Sequence, residues 1–141
     1  MYMKRTITIL LISFLFVSCK GRFEFSPYTV ISVENDEQRE AADWFAWNFA
    51  APGGFVPMVF TNESSADVIV TYDSMLSGSQ FRLDVDERKI RITASGAAGF
   101  YLAFQALLDL LPVQINSAKH ADSVIWTVPS VSLDALYDLY E

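Results

Sequence analysis

The chain has 141 residues, enough for one domain with its own core. Hydrophobic residues make up 52% of it and aromatics 14%, which excludes disorder over most of its length. The formal charge is -7 and no basic run exceeds two residues. Nucleic acid is therefore excluded as a partner class, because phosphate binding needs clustered Lys and Arg.

Lys4 and Arg5 give a positive start, and Thr6 to Val17 is an apolar stretch of signal-peptide length, too short for a comfortable membrane span. Residues 1–18 read as a signal peptide. "LFVSC", Leu15 to Cys19, resembles the end of a bacterial lipoprotein signal, in which the Cys is acylated and becomes the mature N-terminus. Phe16 and Val17 make that match loose. The alternatives are an ordinary signal peptide or a buried structural Cys. Cys19 is the only cysteine, so no intrachain disulfide forms. Without residues 1–18 the chain keeps 8 basic and 17 acidic residues, a charge of -9. The expectation is an exported protein of the bacterial cell envelope, in the periplasm or at the outer membrane, touching the membrane only through a lipid on Cys19. Residues 19–27 then form a tether.

"YTVISV", Tyr28 to Val33, is β-branched and strand-like. Asn35 reads as an N-cap with Gln38 as its capping-box partner, and Asp36 and Glu37 suit the first turn of a helix. That helix runs to about Ala50 with an apolar stripe of Ala41, Trp44, Phe45 and Phe49, and "APGG" stops it. Short strands follow at 56–61 and 66–73. "SQFRLDV" and "KIRITAS" flank "DERK" as a hairpin whose arms both alternate, so one face is in water. A second helix spans about Ala97 to Leu111 and stops at Pro112. "VIWTVPSVSL", Val124 to Leu133, is a last strand, placed at a sheet edge because of Pro129.

The second helix opens with Gly96 and Gly99 directly after a strand, the layout of a phosphate cradle. The chemistry of a cradle is missing: there is no third glycine, no Lys and no following Ser or Thr. The glycines instead allow a sharp turn and a close approach to the sheet. The helix is apolar almost all round, with Gln105 and Asp109 as its clearly polar positions. Such a helix must be covered on most sides, and the uncovered remainder is expected to dock on something outside the domain.

Other candidate chemistry is thin. Asp84 with Asp86, and Asp134 with Asp138, are carboxylate pairs, but their segments read as strands, turns and tail, where solvated charge is the common reading. His120 is the only histidine and lies in a polar loop. One His and one Cys do not make a metal site. Trp44, Trp47 and Trp126 are candidates for a sugar-stacking platform, against core packing as the commoner use. No catalytic, cofactor-binding or metal residue is assigned, and no cofactor is expected.

"FRLDVDERKIRITASGAAGFYLAFQALLDLLP", followed by "WTVPSVSLDA", resembles the N-terminal domain of bacterial β-N-acetylhexosaminidases, glycoside hydrolase family 20. In that family a Y-x-L-x-V…I-x-I-x-A hairpin precedes a G-x-F-Y-G-x-Q-T-L-x-Q-L helix. Gly99, Phe100, Tyr101, Gln105, Leu107 and Leu108 carry the likeness, with spacings that differ from the pattern by a residue, while Ala103, Ala106 and Asp109 depart from it. Trp126, Pro129, Val131 and Asp134 match the W-x-x-P-x-V-x-I-x-D exit strand in type, with Leu133 at the Ile position and Asp134 one residue before the Asp position. The likeness covers about residues 27–135.

The resemblance implies an α+β domain at 28–134: an antiparallel or mixed sheet with two helices packed on one face. It also implies a following TIM barrel whose Asp-Glu pair performs the hydrolysis, with the Glu as general acid. After Asp134 this chain reads "ALYDLYE" and lacks the family's D-x-P-R-F-x-x-R-G entry to the barrel. The expectation is a non-catalytic accessory domain, from a truncated or split gene, whose partner is a family 20 barrel met through the second helix. The alternative is a stand-alone envelope lipoprotein that binds a glycan or a protein.

Overall fold

A computed structural model describes residues 15–135, with side chains described from residue 21 onward. Lys4 and Arg5, most of the signal-peptide expectation, and Asp138 lie outside the described residues. The elements are β1 (Leu15–Glu24), β2 (Val30–Val33), α1 (Asp36–Trp47), α2 (Ala50–Gly53), β3 (Met58–Thr61), β4 (Val68–Tyr72), β5 (Phe81–Val85), β6 (Ile90–Ala94), α3 (Ala97–Leu110), a 3-10 turn (Val113–Asn116) and β7 (Thr127–Ala135).

The seven strands form one sheet in the order β1-β7-β5-β6-β4-β2-β3. It is mixed. The β2–β3, β2–β4 and β4–β6 pairs are parallel, and the β5–β6, β5–β7 and β1–β7 pairs antiparallel. The hairpin is the one the alternation predicts: Phe81, Leu83 and Val85 are buried while Arg82 and Asp84 are exposed. α1 packs over β2 and β3, α3 packs over β5, β6 and β7, and the two helices touch each other. The domain is thus a two-layer α+β structure with its core between sheet and helices.

Two strands differ from the sequence expectation. Lys20 to Glu24, expected in a tether, are the second half of β1, and Phe23 and Phe25 are buried in the core. β7 is not an edge strand, because β1 lies on one side and β5 on the other. Pro129 is tolerated because β5 pairs only with Val131–Ala135. At Pro129 itself, β7 is flanked by β1 alone, at the register shift between Val17 and Arg22.

The cap predicted for α1 is present and extended. Asn35 Oδ1 accepts the Gln38 backbone N–H at 2.9 Å, and Gln38 Oε1 accepts the Glu34 N–H at 2.7 Å. Gln38 is fully buried. Its Nε2 donates to Glu34 Oε1, which also accepts the Tyr72 N–H. The helix start is therefore tied to the end of β4, and a buried amide is satisfied on both sides. "APGG" does not end the helical stretch at its first residue. Ala50–Gly53 forms α2, and Gly54, at φ 73°, closes it in the left-handed conformation.

α3 has no side-chain cap; Gly96 stands at its N-cap in extended conformation. The two glycines have different uses. A Cβ on Gly99 would lie 2.5 Å from the Gln80 carbonyl oxygen and 2.8 Å from the Ala94 Cβ. A Cβ on Gly96 would meet nothing within 4 Å. Gly99 is thus the position where the helix touches the sheet, and Gly96 is a free entry. That close approach lets Phe100, Phe104 and Leu107 reach full burial. Phe104 stacks on Phe45 at 5.0 Å, Phe45 meets Phe49, and Phe49 meets Trp126 edge-on at 5.9 Å. Each such ring pair contributes about 0.5–1.5 kcal/mol beyond the burial of its area.

Candidate interaction surface

The burial of α3 corrects the expectation of an open docking face of Leu and Phe. Phe100, Phe104, Leu107, Leu108 and Leu111 are all buried within the domain. The sheet covers one flank and α1 the other, because Gly99 brings α3 close. What remains open on α3 is a stripe with Ala98, Tyr101, Leu102, Gln105 and Asp109 at helical spacing, in which Tyr101 and Leu102 are half-buried.

α1 completes this surface with residues the sequence reading treated differently. Trp44 belongs to the predicted apolar stripe, yet it is 39% exposed, and Trp47 is 70% exposed. Trp44 lies on the boundary of the stripe, and its ring leans over the gap between the helices onto Tyr101, centroid to centroid 5.5 Å. Glu40 and Asp43 are exposed on the same helix, and Gln105 donates to Asp109 at 3.0 Å on α3. The outer face of the helix layer is therefore an aromatic centre with an acidic rim. It has no Lys or Arg from α3, and Arg39 of α1 turns away to β3. Aromatic rings with a polar margin make a contact surface.

The three tryptophans do not form one platform. Trp126 is buried against Phe49, so it belongs to the core, while Trp44 and Trp47 lie on the surface. The carboxylates do not converge either. Asp84 accepts a hydrogen bond from the Ser132 hydroxyl at 2.6 Å on the open face of the sheet. Asp86 sits in the hairpin turn and accepts the Arg88 and Lys89 backbone N–H groups at 2.8 and 2.7 Å. Those two bonds hold its carboxyl below the ordinary value against an opposing desolvation, with smaller help from the charges of Arg91 and Arg88. Asp134 pairs with Arg82 at 3.7 Å. His120 is exposed and faces Asp122 at 3.2 Å. Among the described residues, no group of three His, Cys, Asp or Glu gathers to hold a metal.

Open clefts among the described residues include the following two. One, of about 330 Å³, lies between the end of β1 and the hairpin turn and is lined by Arg22, Asp67, Glu87 and Arg88. The other, of about 290 Å³, lies beside Leu110, Leu111 and Pro129. In the wall of the first, Ser26 Oγ, Thr29 Oγ1 and Asp67 Oδ2 each accept a backbone N–H, from Tyr28, Ser26 and Val30, so these polar groups brace the local chain. Cys19 lies in β1, in the interval where its register with β7 shifts. No helix among the described residues is long and apolar enough to cross a membrane.

Comparison with known proteins agrees with this architecture. Residues 18–133 match the family described as glycosyl hydrolase family 20, domain 2. The β-N-acetylhexosaminidase of Streptomyces coelicolor shares the fold with a TM-score of 0.73 at 21% identity, over 84% of this chain and 24% of that one. The N-acetyl-β-hexosaminidase of Streptomyces plicatus gives 0.74 at 21% identity, over 84% and 24%. The exo-β-N-acetylglucosaminidase of Vibrio harveyi gives 0.66 at 22%, over 86% and 18%. The chain therefore spans about a quarter or less of the length of these structures. No curated protein sequence matches it.

Proposed function

The chain belongs to glycosyl hydrolase family 20, domain 2, and from that premise we propose that it is a non-catalytic accessory domain of a β-N-acetylhexosaminidase. It docks on a catalytic TIM barrel through the outer face of its helix layer. The barrel, not this domain, would hydrolyse terminal N-acetylhexosamine residues. The observation that carries the reading is the exposed rings of Trp44 and Trp47, with Trp44 resting on half-buried Tyr101, above a layer whose other aromatics are covered. Aromatic residues at the centre of such a patch are the ones that dominate binding energy. The non-catalytic part rests on the match being to domain 2 of the family and spanning about a quarter or less of the related structures.

Export and a lipid on Cys19 belong to the same proposal. Phe23 and Phe25 lie beyond Cys19, so a chain starting at Cys19 keeps the part of β1 that enters the core. Incorporation of labelled palmitate, lost in Cys19→Ser, is the expected result; equal labelling of that variant would remove the anchor from the account.

Docking is tested by sedimentation of the chain with a family 20 catalytic barrel produced without its own accessory domain. A complex is expected, weakened at least about tenfold by Trp44→Ala with Trp47→Ala. No complex with the barrel, together with binding of N-acetylglucosamine oligomers lost in the same variant, would favour the stand-alone binding module instead.

A further inference from the structure

β3 ends the sheet among the described residues, and its chemistry is unusual for an edge. Such strands ordinarily protect themselves with charge or distortion, because a row of free N–H and C=O groups pairs with any passing strand. Here the segment Phe55 to Asn62 contains no charged residue at all. Pro57 precedes the strand, and Met58 and Phe60 are exposed, the latter by 47%.

The register shows which backbone groups are free. Met58 N–H donates to Thr29 and Asn62 N–H to Val33, so alternate residues 58, 60 and 62 face β2. Val59 and Thr61 turn their N–H and C=O groups to the outer edge. Arg39, from the second turn of α1, reaches this edge. Its Nη1 donates to the Val59 carbonyl oxygen at 3.2 Å and its Nη2 to Thr61 Oγ1 at 2.6 Å. One guanidinium thus takes the outward Val59 carbonyl and sits beside Thr61 through its side-chain hydroxyl, placing a positive charge on the edge an incoming strand would meet.

We infer that Arg39 is the guard of a latent pairing edge, and that the occupant it keeps out is β3 of a second copy of this chain. Identity of the partner follows from charge and pattern. The strand itself is uncharged, β-branched and aromatic, and an antiparallel pairing about a two-fold axis sets Val59 and Thr61 of each copy opposite the other's outward groups; a second copy also brings its own Arg39, so the guard repels this partner by like charge, and its removal leaves two uncharged edges. The device is independent of the barrel docking, which uses the outer face of the helices.

The test is sedimentation of the chain against concentration. Arg39→Ala is expected to tighten self-association by about tenfold to a hundredfold, the value of charged hydrogen bonds no longer lost on pairing. Adding Val59→Pro, which removes an outward N–H and no ladder bond, is expected to restore the wild-type behaviour. Arg39→Met keeps the aliphatic stem and serves if the alanine variant does not fold. An Arg39 variant that is folded and no more associated than wild type would overturn the inference, as would association that persists with Val59→Pro.

Discussion

The two long helices lie side by side on one sheet but are built by opposite means. α1 is secured at its end: Asn35 and Gln38 cap it, Glu34 ties the cap to β4, and its outer face is left to acidic residues and two tryptophans. α3 has no side-chain cap and almost no polar face, and it is secured along its length by contact, closest at Gly99. The difference teaches that a helix can dispense with local signals when burial is sufficient, whereas a helix with an open face needs its terminus satisfied.

The strongest way to break this comparison is Gly99→Ala. The added methyl would meet a backbone carbonyl, which cannot rotate away, so α3 must lift from the sheet. Destabilisation of about 3 kcal/mol is expected from urea unfolding. A loss below about 0.5 kcal/mol would mean that contact at Gly99 does not secure the helix. Next in size is Gln38→Ala, which leaves the Glu34 N–H without its acceptor beneath a buried site; about 2 kcal/mol is expected, against about 1 kcal/mol for Asn35→Ala. If both cost nothing, α1 is held by packing as α3 is.

A smaller effect sharpens the comparison outside the helices. The Asp86 carboxyl is held low in the folded state, so its contribution is present above the unfolded value near 3.8 and is lost as pH falls through the folded value. Asp86→Ala should cost at most about 1 kcal/mol at neutral pH, and wild type and variant should converge in acid once pH has fallen through the folded value of this carboxyl. A gap that survives in acid would assign the cost to the turn backbone. The smallest effect is Gly96→Ser, where the open N-cap accepts a side chain; a gain of a few tenths of a kcal/mol is expected in thermal unfolding. A loss there would place a hidden constraint at the entry of α3.

How far this was readable from sequence follows from where the information lies. The α1 cap and the β5–β6 hairpin are local, and their residues state them directly. The parallel pairing of β2, β3, β4 and β6 is not local, because short apolar runs carry no mark of their neighbours. β1 has a signal in "RFEF", whose Phe23 and Phe25 alternate with Arg22 and Glu24, but the segment directly follows Cys19, where the lipoprotein-like signal makes a tether the expectation. The interaction surface was the least readable part. Trp44 and Phe45 are neighbours in sequence and both apolar, yet one faces the core and the other its rim, a distinction of about 100° around a helix. Apolarity points the sequence reading to α3 as the docking helix, whereas in the structure the apolarity of α3 marks burial and the exposed tryptophans are on α1.

The most direct test of the docking account is hydroxyl-radical footprinting of the chain, alone and in complex with a family 20 barrel. The account predicts that Trp44, Trp47 and Tyr101 lose labelling in the complex while exposed Met75 and Phe60 are labelled as before. Unchanged labelling of Trp47, with protection at Phe60 on the sheet edge, would contradict it.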